Sequence, residues 1–209
     1  MTRTDIINYL INKNNFTHYL EIGLDNPYSN FHHIKCSTKL SVDPYFKEDH
    51  DQFDIKLTQE LDELMSIYLT HKMTSDEFFA QNVMKFDLIF IDGLHTKEQV
   101  ARDIYNSLCA LKPHGKIVVH DCLPLCKEHQ LVPRCMQNWT GDVWKAIPEL
   151  KLQDIIYHTV DIDWGCCIIN YFEGIPKLIT QFNYSWDDYV DNKFELMNII
   201  DEKTFLNLY

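Results

Sequence analysis

Residues 86–108 read FDLIFIDGLHTKEQVARDIYNSL, and this stretch decides the fold. Phe86 to Ile91 are apolar on both faces of an extended chain apart from Asp87. A run so short and so apolar reads as a central strand of a parallel sheet, covered by helices on both sides. Asp92, Gly93 and His95 follow at once, and then Val100, Ile104, Leu108 and Leu111 recur on one helical stripe. Thr96 and Gln99 have the spacing of a capping box. The unit is strand, turn, helix, and its turn receives a carboxylate and an imidazole.

Outward from this unit the same alternation recurs. HYLEIG (18–23) and KLSVDP (39–44) read as short buried strands, the second stopped by Pro44. An acidic helical segment is expected over 57–68. HKMTSDEFF (71–79) is expected to hold a short third strand at its start and then a helix capped by Ser75 or Asp76. After the 86–108 unit, KPHG (112–115) is a turn and KIVVHD (116–121) another buried strand. Residues 122–141, rich in Cys, Pro and His, read as a lid or acceptor-binding loop. GDVWKAIPEL (141–150) looks helical. IIYHTV and GCCIINYF form a strand pair around a tight turn at 162–165, and 185–209 is expected to be helical.

The pattern predicts one α/β domain over 1–209: a Rossmann-like, doubly wound, mostly parallel sheet with helices on both faces and an antiparallel C-terminal strand pair. In such sheets ligands sit beyond the carboxyl ends of the strands. Gly23, Asp43, Asp92 and Asp121 each follow a strand, so all four are expected on one rim.

Bulk properties narrow the chemistry. The chain has 209 residues, 45% hydrophobic and 24% charged, an ordinary globular composition with room for one sizeable core. A formal net charge of −12, with no basic cluster to offset it, argues against nucleic acid. No window has the apolar length of a membrane span. MTRTDIINYLINKN is a poor signal peptide and a plausible amphipathic helix with Ile6, Ile7 and Leu10 inward, so a cytoplasmic location is expected. Seven Cys, an odd number, read as free thiols. His120, Cys122, Cys126, His129 and Cys135 crowd one segment, but their spacings match no standard zinc knuckle.

The turn after the first strand carries Gly23 alone, where a dinucleotide loop wants G-x-G-x-x-G. Glu21-x-Gly23, Asp43, Asp92-Gly-x-His95, Leu111-Lys-Pro-x-Gly115 and His120-Asp121, in that order, resemble a class I S-adenosylmethionine-dependent methyltransferase. They are most similar to the sugar and small-molecule O-methyltransferases with IDGxH and HD motifs. The resemblance runs over roughly residues 17–170. It implies that Glu21 and Gly23 cradle the amino-acid end of S-adenosyl-L-methionine, that Asp43 accepts from the ribose hydroxyls, and that Ser75 and Asp76 lie near adenine. Asp43 also reads as a turn residue before Pro44, and Ser75 and Asp76 as helix caps.

Methyl transfer from a sulfonium is an in-line displacement, and a sugar hydroxyl attacks poorly until its proton leaves. A divalent cation, magnesium or manganese, and a base both help. By resemblance, Asp92 and Asp121 are the metal ligands and His95 the base, with Asp92 serving both cofactor and catalysis. Some of the metal-dependent families it resembles have two acidic residues where this chain has His120-Asp121. His120 is then a third ligand favouring manganese, a substrate contact or second base, or a buried hydrogen-bonded residue. His95 as a helix-start residue is the plain alternative. Trp139 and Trp144 are candidates to stack on a sugar, and Trp144 equally a core residue.

The expected activity is therefore O-methylation of a sugar or glycan hydroxyl, alongside glycosyltransferases and in a homodimer. A phenolic or other small-metabolite acceptor is the alternative. A nicotinamide-dependent oxidoreductase and a non-catalytic binding module are the readings from other classes.

Overall fold

The computed structural model describes residues 1–45, 69–178 and 180–209. The helical segment expected over 57–68 lies outside the described residues. Five of the strands form the parallel part of one sheet: β1 (His18–Ile22), β2 (Thr38–Val42), β3 (Leu69–His71), β4 (Phe86–Ile91) and β5 (Leu111–Val119). β6 (Tyr157–Val160) and β7 (Cys166–Asn170) pair antiparallel, and β8 (Ile199–Ile200) joins β6 in parallel. The order is β3-β2-β1-β4-β5-β7-β6-β8. β7 therefore inserts between β5 and β6, running antiparallel to both.

The decisive strand behaves as its composition demands. Phe86, Ile89 and Ile91 of β4 pack into one core layer with Val100, Ile104 and Leu108 of α3 (Lys97–Ala110). Leu88 and Phe90 pack into the other with Ile6, Ile7 and Leu10 of α1 (Arg3–Asn14) and Phe205 of α5 (Glu202–Leu208). Both faces are dry, as a central parallel strand requires. The short helix α2 (Ser75–Gln81) follows β3, and α4 (Trp186–Met197) follows the last long strand. Among the described residues no helix is long and apolar enough to cross a membrane.

Four local expectations are corrected. The α2 cap is Thr74, whose hydroxyl accepts from Glu77 N–H while the Glu77 carboxylate accepts from Thr74 N–H. Thr96 starts α3 but makes no side-chain cap bond; the free Lys97 N–H is taken by Asp142 Oδ1 at 2.7 Å. Residues 143–153 form two 3-10 turns, Val143–Ala146 and Pro148–Gln153, not one α-helix. Pro148 has no N–H to give, so a continuous α-helix loses a hydrogen bond there, while Ile147 itself stays in the right-handed helical region. The tail is helix, strand, helix: Asn198 takes a left-handed conformation that ends α4, β8 pairs with β6, and Asp201 caps α5.

Candidate functional site

Backbone pairing carries past the strand ends and lines up the rim. Gly23 N–H donates to Val42 O (2.9 Å), Asp92 N–H to Ile22 O (2.8 Å), Asp43 N–H to His71 O (3.1 Å) and His120 N–H to Ile91 O (3.0 Å). Gly23 has φ +88°, and a Cβ there would stand 2.2 Å from Asp92 O. Only glycine lets the β1 loop lie against the end of β4 this closely. The Asp43 carboxylate draws the same loop in: Oδ2 accepts from Leu24 N–H (2.8 Å) and Asp25 N–H (3.1 Å), and Oδ1 from Tyr45 N–H (2.7 Å). Gly23, Asp43, Asp92 and Asp121 thus follow the carboxyl ends of β1, β2, β4 and β5 in one sheet.

Glu21 points inward. It is buried and accepts from the Tyr19 hydroxyl and from Asn30 Nδ2 (3.0 Å). Burial pushes its carboxyl up to about 8, against the help of those two donors. Its side chain holds the base of the loop, and the loop backbone at Gly23 faces the rim.

Beside that loop lies a charged cluster. Asp92 Oδ1 stands 3.3 Å from His95 Nε2 and 3.3 Å from His120 Nδ1. His95 Nδ1 stands 3.2 Å from Asp121 Oδ2, and His120 Nδ1 3.4 Å from Asp121 Oδ1. His120 Nε2 faces Asp163 Oδ1 at 3.6 Å. Asp121 holds a left-handed φ of +61°, an unusual backbone state for a non-glycine residue that aims its carboxylate back at the two rings. Burial pushes Asp92 up, but His120 and His95 outweigh it and hold the carboxyl well below the usual range. Burial lowers both imidazoles too; Asp92 and its neighbours outweigh that, raising His95 and raising His120 strongly. The His120 hydrogen bond leads the effects that bring Asp163 down to about 2.

Arg3, from the first turn of α1, reaches the same cluster. Its Nη1 lies 3.1 Å from His120 Nδ1 and 3.0 Å from Nε2, and 3.6 Å from Asp92 Oδ2. One atom cannot meet both ring nitrogens in the ring plane, because Cε1–H stands between them. The guanidinium therefore lies over the face of the imidazole. Three carboxylates, Asp92, Asp121 and Asp163, face Arg3 and the imidazoles of His95 and His120. Arg3 N–H also donates to Asp163 Oδ2 at 2.9 Å. Sequence reading missed Arg3 and attached no role to Asp163; each is far along the chain from its partners, and nothing local marks either.

The ligand atoms that converge within 4.8 Å of one another are those of Asp92, His95 and Asp121. His95 thus takes the third position that the sequence reading gave to His120, whose two nitrogens are committed to carboxylates. His95 Nδ1 is buried without a well-formed hydrogen bond. Two carboxylates and an imidazole with an orphaned nitrogen fit a divalent cation. None of the cysteines belongs to this group.

The 122–141 segment packs against His95. Trp139 stacks on its ring, 5.2 Å between centroids and 22° between planes, and Trp139 Nε1 donates to Leu131 O at 2.6 Å. Gly141, at φ +61°, lies so near that a Cβ would meet His95 O at 1.8 Å. Trp144 is a correction: it is fully buried, donates to Gln130 Oε1 at 2.8 Å and packs 4.7 Å from Tyr189, which leaves no face for an acceptor. Ser75 and Asp76 tie α2 to α3. Ser75 Oγ accepts from Gln99 Nε2 (3.1 Å), and Asp76 pairs with Arg102 (3.2 Å).

Comparison with known proteins agrees with this architecture. Residues 20–122, which span β1 through the end of β5, match the family model described as a methyltransferase domain. A search of curated proteins returns no match. Among solved structures, the chain resembles the O-methyltransferase TomG from Streptomyces achromogenes, described as involved in tomaymycin synthesis and in complex with SAM. Identity is 12%, TM-score 0.57, and 81% of this chain and 79% of that one are covered. It also resembles the SAH-bound methyltransferase PaMTH1 of Podospora anserina (16% identity, TM-score 0.55, covering 80% and 76%). Cofactor-bound Rv0187 from MTB is a third (12%, TM-score 0.57, covering 83% and 82%). These likenesses concern the fold. The chain carries a methyltransferase domain over residues 20–122 and has the fold of the S-adenosylmethionine-dependent O-methyltransferases.

Proposed function

We propose that this chain transfers the methyl group of S-adenosyl-L-methionine to a hydroxyl of a sugar, in a glycan or a glycosylated metabolite, with His95 as the base. The observation that carries the reading is His95 held between Asp92 and Asp121 beside the Gly23 loop. Gly23 and Asp43 shape the cofactor cradle, with Ser75 and Asp76 toward its adenine end. The acceptor oxygen attacks the methyl carbon, the C–S bond breaks as the C–O bond forms, and the hydroxyl proton passes to an imidazole nitrogen of His95. Asp92 orients the ring and stabilises the imidazolium that results. Trp139, already stacked on His95, offers the acceptor an aromatic edge under the lid. A glycan acceptor places the enzyme after the glycosyltransferases that build it.

A second reading rests on the orphaned His95 Nδ1. Asp92, Asp121 and His95 would together hold a divalent cation, which supplies a Lewis acid for the acceptor hydroxyl. His95 then serves as ligand and not as base. A phenolic or other small-molecule acceptor fits the same site, and one structural relative is described as an O-methyltransferase of tomaymycin synthesis.

Calorimetry with S-adenosylmethionine, with and without EDTA, followed by mass spectrometry of glycans and catechols incubated with enzyme, separates these. A 14-dalton gain on a sugar that survives EDTA supports the base reading; loss of turnover with EDTA, restored by manganese, supports the cation. Absence of cofactor binding rejects both.

A further inference from the structure

At the opposite end of the sheet from the methyl-transfer rim lies a cavity of about 620 Å³, well within the size range of small-molecule sites. It is an open depression bordered by β5, the β6–β7 pair and the last residues of α1 and α5, and His114, Lys116, His158, Asn170, Glu173 and Tyr209 line it. Lys116 lies four residues before His120 on β5, roughly 13 Å away along the strand. None of the residues of the methyl-transfer cluster takes part.

Lys116 is the reason to look here. The chain carries 31 acidic and 19 basic side chains, so a lysine has an excess of carboxylates to choose from. Lys116 is half-buried, yet its Nζ donates to a neutral acceptor, Asn170 Oδ1, at 2.9 Å, and lies 4.9 Å from the centre of the Tyr209 ring. Among the described residues no carboxylate comes within ion-pair distance of it. Burial lowers its pKa, with no neighbouring charge to offset the loss of water. A half-buried ammonium without a carboxylate partner favours an anion beside it.

The surroundings add donors. His158 Nδ1 shares a hydrogen bond with the Tyr209 hydroxyl at 3.0 Å. His114 is exposed within β5 and holds a left-handed φ of +67°, so 112–115 belongs to the strand and is not the separate turn expected from the sequence. Glu173 is exposed at the margin. A lysine with three N–H groups, two imidazoles and an amide offer more donors than a single carboxylate ligand would use. They suit the oxygens of a phosphate, and the spare volume and Glu173 suit a hydroxylated body attached to it.

We propose that this cavity binds a phosphate monoester of a polyhydroxylated small molecule, its phosphate on Lys116, His158 and His114 and its hydroxyls toward Glu173. The site is independent of the methyl-transfer chemistry, and neither reading needs the other. The test is calorimetry on the full chain with glucose 6-phosphate, inorganic phosphate and glucose, with the C2–H NMR signals of His114 and His158 followed in parallel. Glucose 6-phosphate is expected to bind with a dissociation constant below about 1 mM and to shift both histidine signals, inorganic phosphate more weakly and glucose not at all. Lys116→Gln keeps the Asn170 hydrogen bond and is expected to weaken binding at least ~10-fold while thermal unfolding stays that of the wild type. Absence of saturable binding overturns the proposal. So does a Lys116→Gln protein that binds as well as wild type, or inorganic phosphate binding as tightly as the monoester.

Discussion

Gly23 and His95 bear on different steps, and substitution separates them. Gly23→Ala forces a Cβ to 2.2 Å from Asp92 O at a φ that side chains avoid. Strain of this kind costs about 1–3 kcal/mol, so S-adenosylmethionine affinity should fall roughly 5- to 100-fold in calorimetry. His95→Ala should spare cofactor affinity and reduce single-turnover methyl transfer by about 10²–10⁴-fold, the usual worth of a positioned base. Equal cofactor binding with undiminished turnover would remove His95 from the chemistry. Asp43→Ala acts on the cradle instead: three backbone N–H groups lose their acceptor, and cofactor binding should weaken strongly while the sheet stays folded. Residue types at the rim were readable because each one ends a strand. Their partners were not. Glu21 was expected at the cofactor, yet its carboxyl turns inward to Tyr19 and Asn30, a choice that depends on which face of β1 α1 covers.

Between elements, the α2–α3 contact makes a testable pH device. Asp103 of α3 is buried beside Gln99 and Ser75, and burial pushes its carboxyl up to about 6. Its unfolded value is near 3.9. A raised folded-state pKa means that the folded chain holds the proton more tightly. The associated stability is fully present below the unfolded value and is lost as pH rises through about 6. A shift of two units corresponds to about 3 kcal/mol. Asp103→Asn should therefore unfold at higher urea than wild type at pH 8 and at nearly the same urea at pH 4; a difference that does not vary with pH would refute the assignment. The 3-10 turns at 143–153 carry a separate cost. Trp144→Ala, deleting a fully buried ring, should destabilise by about 3–5 kcal/mol in denaturant unfolding. The expected helix there failed at Pro148, and the expected capping box of α3 failed because Asp142, 45 residues away, reached Lys97 N–H and left the Gln99 amide for Ser75 and Asp103.

Across the whole molecule, ligand binding and folding are linked. S-adenosylmethionine at about 100 times its dissociation constant stabilises the folded chain by about 2.7 kcal/mol. For a chain of this size that raises the unfolding midpoint by roughly 5–10 °C in a thermal scan. If Asp92, His95 and Asp121 hold a cation, manganese should add a further rise that EDTA abolishes. The sequence by itself determined the alternation of strand and helix, the central place of 86–91 and the gathering of Gly23, Asp43, Asp92 and Asp121 on one rim. Those follow from periodicity and from the rule that residues after parallel strands share an edge, both local to the chain. Only the tertiary structure decided that Arg3 lies over His120 across 117 residues, that β7 slots between β5 and β6, and that Trp144 is core while Trp139 covers His95. The physical reason is range. Backbone preference and apolar spacing act over a few residues, whereas the partner of a charge or a ring is chosen by packing between segments that meet only when the sheet closes.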